Sequence, residues 1–305
     1  MMTRSSNFAR ILLAVSIGSL GLVASATTAG ADQHTSSSHK TDGGSSSLVV
    51  SQVLLGASLS HSFTTATSTT PVSAPLSNID DLTQLSDSLF VVFQNGVGPM
   101  GEASTSGNLD STVVEFTPSG HVLGQWDVAG RVDGMVADPQ LHGVIATVNE
   151  DGNTSLYVIQ PTAATSQQVT HYSYDAGLTH GGGTDAISLV NGEILISASA
   201  PGTTLLPAPN ATFPAVYVAQ LNASTQVAKL TPLFFDEDAA TVANAGPTQG
   251  TTTNLALTDP DSSTIVPRSA ERFGGTYVMN SQGDQQQIFV SGAGTSHQSL
   301  SVLSL

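Results

Sequence analysis

The chain has no cysteine, so neither disulfides nor thiolate chemistry contribute to it. Basic residues are almost as scarce: seven Lys and Arg stand against 23 Asp and Glu in 305 residues, a formal net charge of −16. Nucleic acids and anionic bilayers both need a positive surface, so this balance argues against either as a partner. Aromatic residues make up only 5%, and no window sustains an apolar period of 3.6 residues, which argues against a helical fold. One long apolar run exists, from Ile11 to Ala26, and it is too short and too rich in Ser and Gly for a convincing membrane span.

That run follows Arg4 and Arg10 and ends in small residues at Ala24-Ser25-Ala26 and Ala29-Gly30-Ala31. Residues 1–31 therefore read as a secretory signal peptide. Residues 32–47 are mostly Ser, Thr, His, Gly and Asp, with nothing apolar to bury, the composition of a disordered leader. The expected location is secreted or extracytoplasmic, at the cell surface or in a periplasm. Removing Arg4 and Arg10 leaves five basic residues against the same 23 acids, a charge near −18. Residues 48–305 are then long enough for one large domain stabilised by burial alone.

What fills that domain is Ser, Thr, Val, Gly and Ala in short apolar runs punctuated by turn residues, the pattern of many short strands. The runs repeat. "IDDLTQLSDSLFVVFQNG" begins at Ile79, "VDGMVADPQLHGVIATVNEDG" at Val132 and "TDAISLVNGEILISASAPG" at Thr184. Their leading aspartates, Asp80, Asp133 and Asp185, are 53 and 52 residues apart. Each unit continues with a second strand, a third ("TVVEF", "SLYVI", "AVYVA") and a plausible fourth. A fourth unit is legible from "NLALTDP", which sets Asn254 in the place of the aspartate. Four antiparallel strands per unit of about fifty residues is the pattern of a β-propeller blade. The fold expected is an all-β propeller of five or six blades, incomplete in this chain if the strands of 48–63 do not close the ring.

The openings "VDGMVADP" and "NLALTDP", with "LFVVFQN" and "IATVNED" after them, resemble the NHL and SMP-30/gluconolactonase group of six-bladed propellers. The resemblance covers residues 79–305 and implies the fold more firmly than an activity. In a meander the start of the first strand and the turn between strands two and three share one face. Asp80, Asp133, Asp185 and Asn254 should therefore surround the mouth of the central channel, with Asn95, Asn149, Glu150 and His180 nearby. Converging oxygen ligands suit a hard divalent ion such as Ca²⁺ or Mg²⁺. The resemblance implies such an ion with Asp133 as the leading ligand and Asn254 second. The same aspartates would also serve as turn caps accepting backbone N–H groups.

Two features depart from the lactonase pattern. No glutamate precedes Asp80, where that group has an early ligand, and the Asn-Gly pairs at Asn95 and Asn191 fall in turns. "HGGG" at His180 matches an esterase oxyanion turn, but the chain has no G-x-S-x-G nucleophile elbow. Its glycines read instead as a tight crossing between blades. The sequence thus points to an exported binding or scaffold propeller whose partner is a small molecule or an extracellular protein. A metal-dependent hydrolase of the lactonase type is the alternative.

Overall fold

The structure, a computed structural model, describes residues 23–25, 49–65, 67–179, 182–201 and 212–305. The segments read as signal peptide and leader lie outside these residues apart from β1 (Val23–Ser25), which pairs with β2 (Val49–Ser51). A hairpin follows, of β3 (Ser60–Thr65) and β4 (Ser68–Pro75). Among the described residues there is no α-helix, only two 3₁₀ turns at Gly56–Ser58 and Thr165–Gln167.

Four complete four-stranded blades come next. The first is β5 (Ile79–Leu85), β6 (Ser88–Phe93), β7 (Asp110–Phe116) and β8 (Val122–Ala129). The second is β9 (Val132–Asp138), β10 (Gly143–Val148), β11 (Ser155–Ile159) and β12 (Val169–Tyr174). The third is β13 (Thr184–Val190), β14 (Glu193–Ala198), β15 (Pro214–Asn222) and β16 (Val227–Phe235). A short pair, β17 (Ala239–Val242) and β18 (Thr252–Asn254), separates it from the fourth. That blade is β19 (Pro260–Ile265), β20 (Tyr277–Ser281), β21 (Gln286–Ser291) and β22 (Ser299–Ser304).

Every blade is an antiparallel meander, and the inner strands β5, β9, β13 and β19 stand side by side in chain order. This is the arrangement of a β-propeller. Two parallel contacts join elements at the periphery: β12 to β16 through Ser173–Val227 and Tyr174–Ala228, and β17 to β22.

Burial between blades explains the unbroken apolar runs. In β10 all six residues are buried, because alternate side chains serve two interfaces. Val144, Ala146 and Val148 pack toward blade one with Phe90, Val92 and Val113. Ile145 points the other way, against Ile187, Ile194 and Ile196 of blade three. A third cluster, with Leu195, Phe234, Tyr277, Met279 and Ile288, fills the space between blades three and four. The flank of blade one facing away from blade two is covered by Val53, Leu54 and Leu59. Each fully buried side chain of this kind stabilises the fold by ~1.5–3 kcal/mol, which lets a chain without disulfides hold together.

Candidate functional site: the channel mouth

The mouth is built by one device repeated four times. At the start of each inner strand the ladder to the second strand slips by one residue: Ile79/Leu82 in β5, around Asp133 in β9, Thr184/Ile187 in β13 and Pro260/Ser262 in β19. A bulge frees a residue from pairing and re-aims its side chain. The residues freed include Asp80, Asp133, Asp185 and Asp261, each the second residue of its strand.

Asp261 occupies the position that the sequence pattern assigned to Asn254. Asn254 lies elsewhere, exposed in β18 and paired with Ala239, beyond the outer strand of blade four. The reason is the β17–β18 insertion, which puts the fourth aspartate 76 residues after Asp185 instead of 52 or 53. Both segments contain Asp-Pro, but the two pairs stand at opposite ends of their inner strands. In blade two Asp138 ends the inner strand and caps the turn through Gln140 and Leu141 N–H groups. In blade four Asp259-Pro260 opens it, and Pro suits a strand's first position.

Side chains lock the inner strands to one another. The neighbour of Asp80, Asp81, accepts hydrogen bonds from the Leu82 and Met135 N–H groups, and Thr83 Oγ1 accepts from Ala137, so blade one holds β9. Thr147 Oγ1 donates to the Asp185 carbonyl at 2.5 Å, and Ser188 and Ser263 pair at 2.8 Å. Gly134 permits the closest approach: a Cβ there would lie 2.6 Å from the Asp185 carbonyl oxygen.

Of the other expected mouth residues, Asn95 and Asn149 hold the scaffold. Both have a left-handed backbone, φ 54° and 67°, which Asn tolerates. Asn149 Oδ1 accepts from the Arg131 N–H at 2.9 Å while its own N–H donates to the Arg131 carbonyl. Asn95 makes the equivalent clamp on Ser77 and donates to Thr112 Oγ1. Neither amide is turned to a ligand. Glu150 is placed in the mouth, with Oε1 2.8 Å from an Arg131 guanidinium nitrogen. His180 lies outside the described residues. Gly183, three residues on, donates its N–H to the Glu150 carbonyl, and any Cβ there would be 2.1 Å from the Asn149 carbonyl oxygen, so the backbones approach too closely at that position for a side chain.

Two residues were missed in the sequence, Arg131 and Gln94. Arg131 Nε lies 3.1 Å from Asp133 Oδ1, and Gln94 Nε2 donates to the same oxygen at 3.2 Å. Asp133 Oδ2 is left buried without a partner, on a side chain 5% exposed. Only the positions just before an inner strand and just after a second strand could have flagged these two residues.

Burial and crowding raise the carboxyls of the mouth. Burial, then the Glu150 carboxylate, push Asp133 up to about 8 against the pull of Arg131. Burial and then Asp81 push Asp80 up to about 7; Asp80 also shows much of its surface to water, which tempers the effect there. Asp185 is raised well above the usual carboxyl range by burial and then by Asp261, Asp133, Glu150 and Asp80. Asp185 in turn exerts a lowering pull on Asp261. Asp261 and Glu150 are also raised, chiefly by burial.

The oxygen-only donor set is of the kind a hard cation takes, but its arrangement does not fit one. Among the described residues no group of three or more His, Asp or Glu side chains stands close enough to hold a metal ion. The guanidinium of Arg131 already lies on Asp133 and Glu150, where the leading ligand would be needed. Beside Asp261, on the turn between β20 and β21, opens a cavity of about 550 Å³ lined by Ser262, Asn280, Gln282, Gln285 and Gln286 among others.

No protein-family profile matches the chain, and no curated protein matches it in sequence. Solved structures do. A Lactobacillus plantarum protein is similar at 13% identity and a TM-score of 0.41, over 80% of this chain and 62% of its own. The periplasmic gluconolactonase of Pseudomonas aeruginosa is similar at 12% and 0.42, over 73% and 56%. An auxiliary nutrient binding protein from Bacteroides thetaiotaomicron is similar at 11% and 0.43, over 75% and 47%. The chain spans about half to three-fifths of the length of these proteins.

Proposed function

We propose that this protein is an exported binding module whose ligand enters the channel mouth formed by Asp80, Asp133, Asp185 and Asp261. One observation carries the reading: four inner-strand bulges each turn an aspartate out of its ladder at the same end of its blade. A cap needs no such device, and Asp138 caps its turn without one. The Asp133 oxygen left buried and unpartnered supports the same conclusion, because a polar atom in that state costs the fold ~1–3 kcal/mol. Export rests on the signal-like residues 1–31.

The lactonase alternative requires a divalent ion on Asp133, and the guanidinium of Arg131 stands in its way. A library screen by thermal stabilisation tests the choice. Ligands of the mouth should stabilise the wild type, lose their effect in Asp185→Asn/Asp261→Asn, and keep it in Asp87→Asn at the opposite end of blade one. Hits indifferent to the double substitution would refute the reading. One equivalent of tightly bound divalent metal, lost in Asp133→Ala, would move the assignment to the hydrolase.

A further inference from the structure

Three Asn-x-Ser/Thr triplets occur in the chain, at Asn153, Asn210 and Asn222. In an exported protein that spacing marks acceptors of an N-linked glycan. The fold separates the three. Asn210 lies outside the described residues. Asn153 is tied into the scaffold: its Nδ2 donates to the Met100 carbonyl at 3.2 Å, and its own carbonyl accepts from Asn149 Nδ2. Ser155, which supplies the hydroxyl of that triplet, is buried at the start of β11. Asn222 stands differently. It ends β15, and all of Asn222, Ala223, Ser224, Thr225 and Gln226 are exposed in the turn to β16.

The oxygen of the Asn222 amide fixes its orientation. Oδ1 accepts from Ser224 Oγ at 2.7 Å, from the Ser224 N–H at 3.0 Å and from the Thr225 N–H at 3.2 Å. An amide NH₂ only donates, so these backbone donors turn Nδ2 away from the turn. Nδ2 has no hydrogen-bond partner among the described residues. The turn joins strands three and four of its blade, at the end of the meander opposite to the mouth. A bulky substituent there meets solvent and leaves the mouth open. We propose that Asn222 is an N-glycosylation site. In that reaction Nδ2 displaces the diphosphate of a lipid-linked oligosaccharide. A bond forms from Nδ2 to the anomeric carbon, the bond from that carbon to the diphosphate oxygen breaks, and one Nδ2 proton passes to a base of the transferring enzyme. The inference rests on export, for which the signal-like residues 1–31 speak.

The test is peptide mapping of the protein from its source organism, by mass spectrometry with electron-transfer fragmentation, which keeps glycans on their peptides. The Asn222 peptide should be heavier by a glycan, and the Asn153 peptide should have its unmodified mass. Asn222→Gln and Ser224→Ala should each lose the glycan, and Ser224→Thr, which keeps a hydroxyl, should retain it. Circular dichroism establishes that each variant is folded. Secreted protein with an unmodified Asn222 peptide overturns the inference and leaves export standing. A glycan on Asn222 that survives Ser224→Ala, or one on Asn153 with Asn222 bare, overturns it too. Protein retained in the cell with residues 1–31 still attached overturns the export reading and the inference with it.

Discussion

Replacing Asp133 by Asn should stabilise the protein at mildly alkaline pH and leave it nearly unchanged in acid. In an unfolded chain this carboxyl releases its proton near 3.8, whereas the folded mouth holds it to about 8. Below 3.8 the proton is bound in both states. As pH rises from there toward 8 the unfolded chain gives up a proton that the folded protein keeps, so stability falls by ~1.4 kcal/mol per pH unit for this one group. Over the whole window the loss approaches about 6 kcal/mol, a ceiling that relaxation of the site will lower. Asparagine imitates the protonated acid: its oxygen still accepts from Arg131 and Gln94, and nothing titrates. Urea denaturation of wild type and variant between about pH 5 and about pH 8 reads the difference in slope. The wild type should lose stability faster with rising pH, by about one proton's worth. Parallel pH profiles, or a variant less stable throughout, would refute the claim that this carboxyl is held protonated by burial.

Further consequences follow from the same geometry. Ile145→Ala, which empties the interface between blades two and three, should cost about 2–5 kcal/mol and lower the urea midpoint accordingly. Gly134→Ala should drive β9 away from β13, with ~1–3 kcal/mol of overpacking, because the obstructing atom is the Asp185 backbone carbonyl; a melting curve would show it. Arg131→Met removes the one group that lowers the pKa of Asp133 and Glu150 by its charge, so both should keep their protons to higher pH. The steeper pH dependence of stability that results is measured by the same urea series.

Most of the fold was written in the sequence because an interface-filling strand in a propeller is apolar on both sides. "LFVVF", "VIATV" and "ILI" mark β6, β10 and β14 to within about two residues for that reason. Spacing did the rest for three blades, and in the fourth it misplaced only the opening strand, which is Pro260–Ile265 and does not begin at Asn254. Ala239–Val242 and Thr252–Asn254 interrupt the period, and no local rule distinguishes such an insertion from the next blade's opening. The site was half legible. A leading aspartate per repeat can be counted, but the one-residue slip that turns it outward is a property of pairing with the second strand. Asn95 and Asn149 looked like mouth residues because they stand at the right ends of their strands. Their left-handed backbone and inward amides emerge only once the chain closes on Ser77 and Arg131.

The central claim is that Asp80, Asp133, Asp185 and Asp261 share one mouth, and a carboxyl ¹³C NMR titration of the purified protein tests it most directly. The account predicts that Asp133 and Asp185 titrate far above the ordinary aspartate range and that Asp261→Asn shifts the midpoint of Asp185 downward, since a neighbouring charge is removed. Four independent titrations near the ordinary value, with Asp185 indifferent to Asp261→Asn, would contradict it.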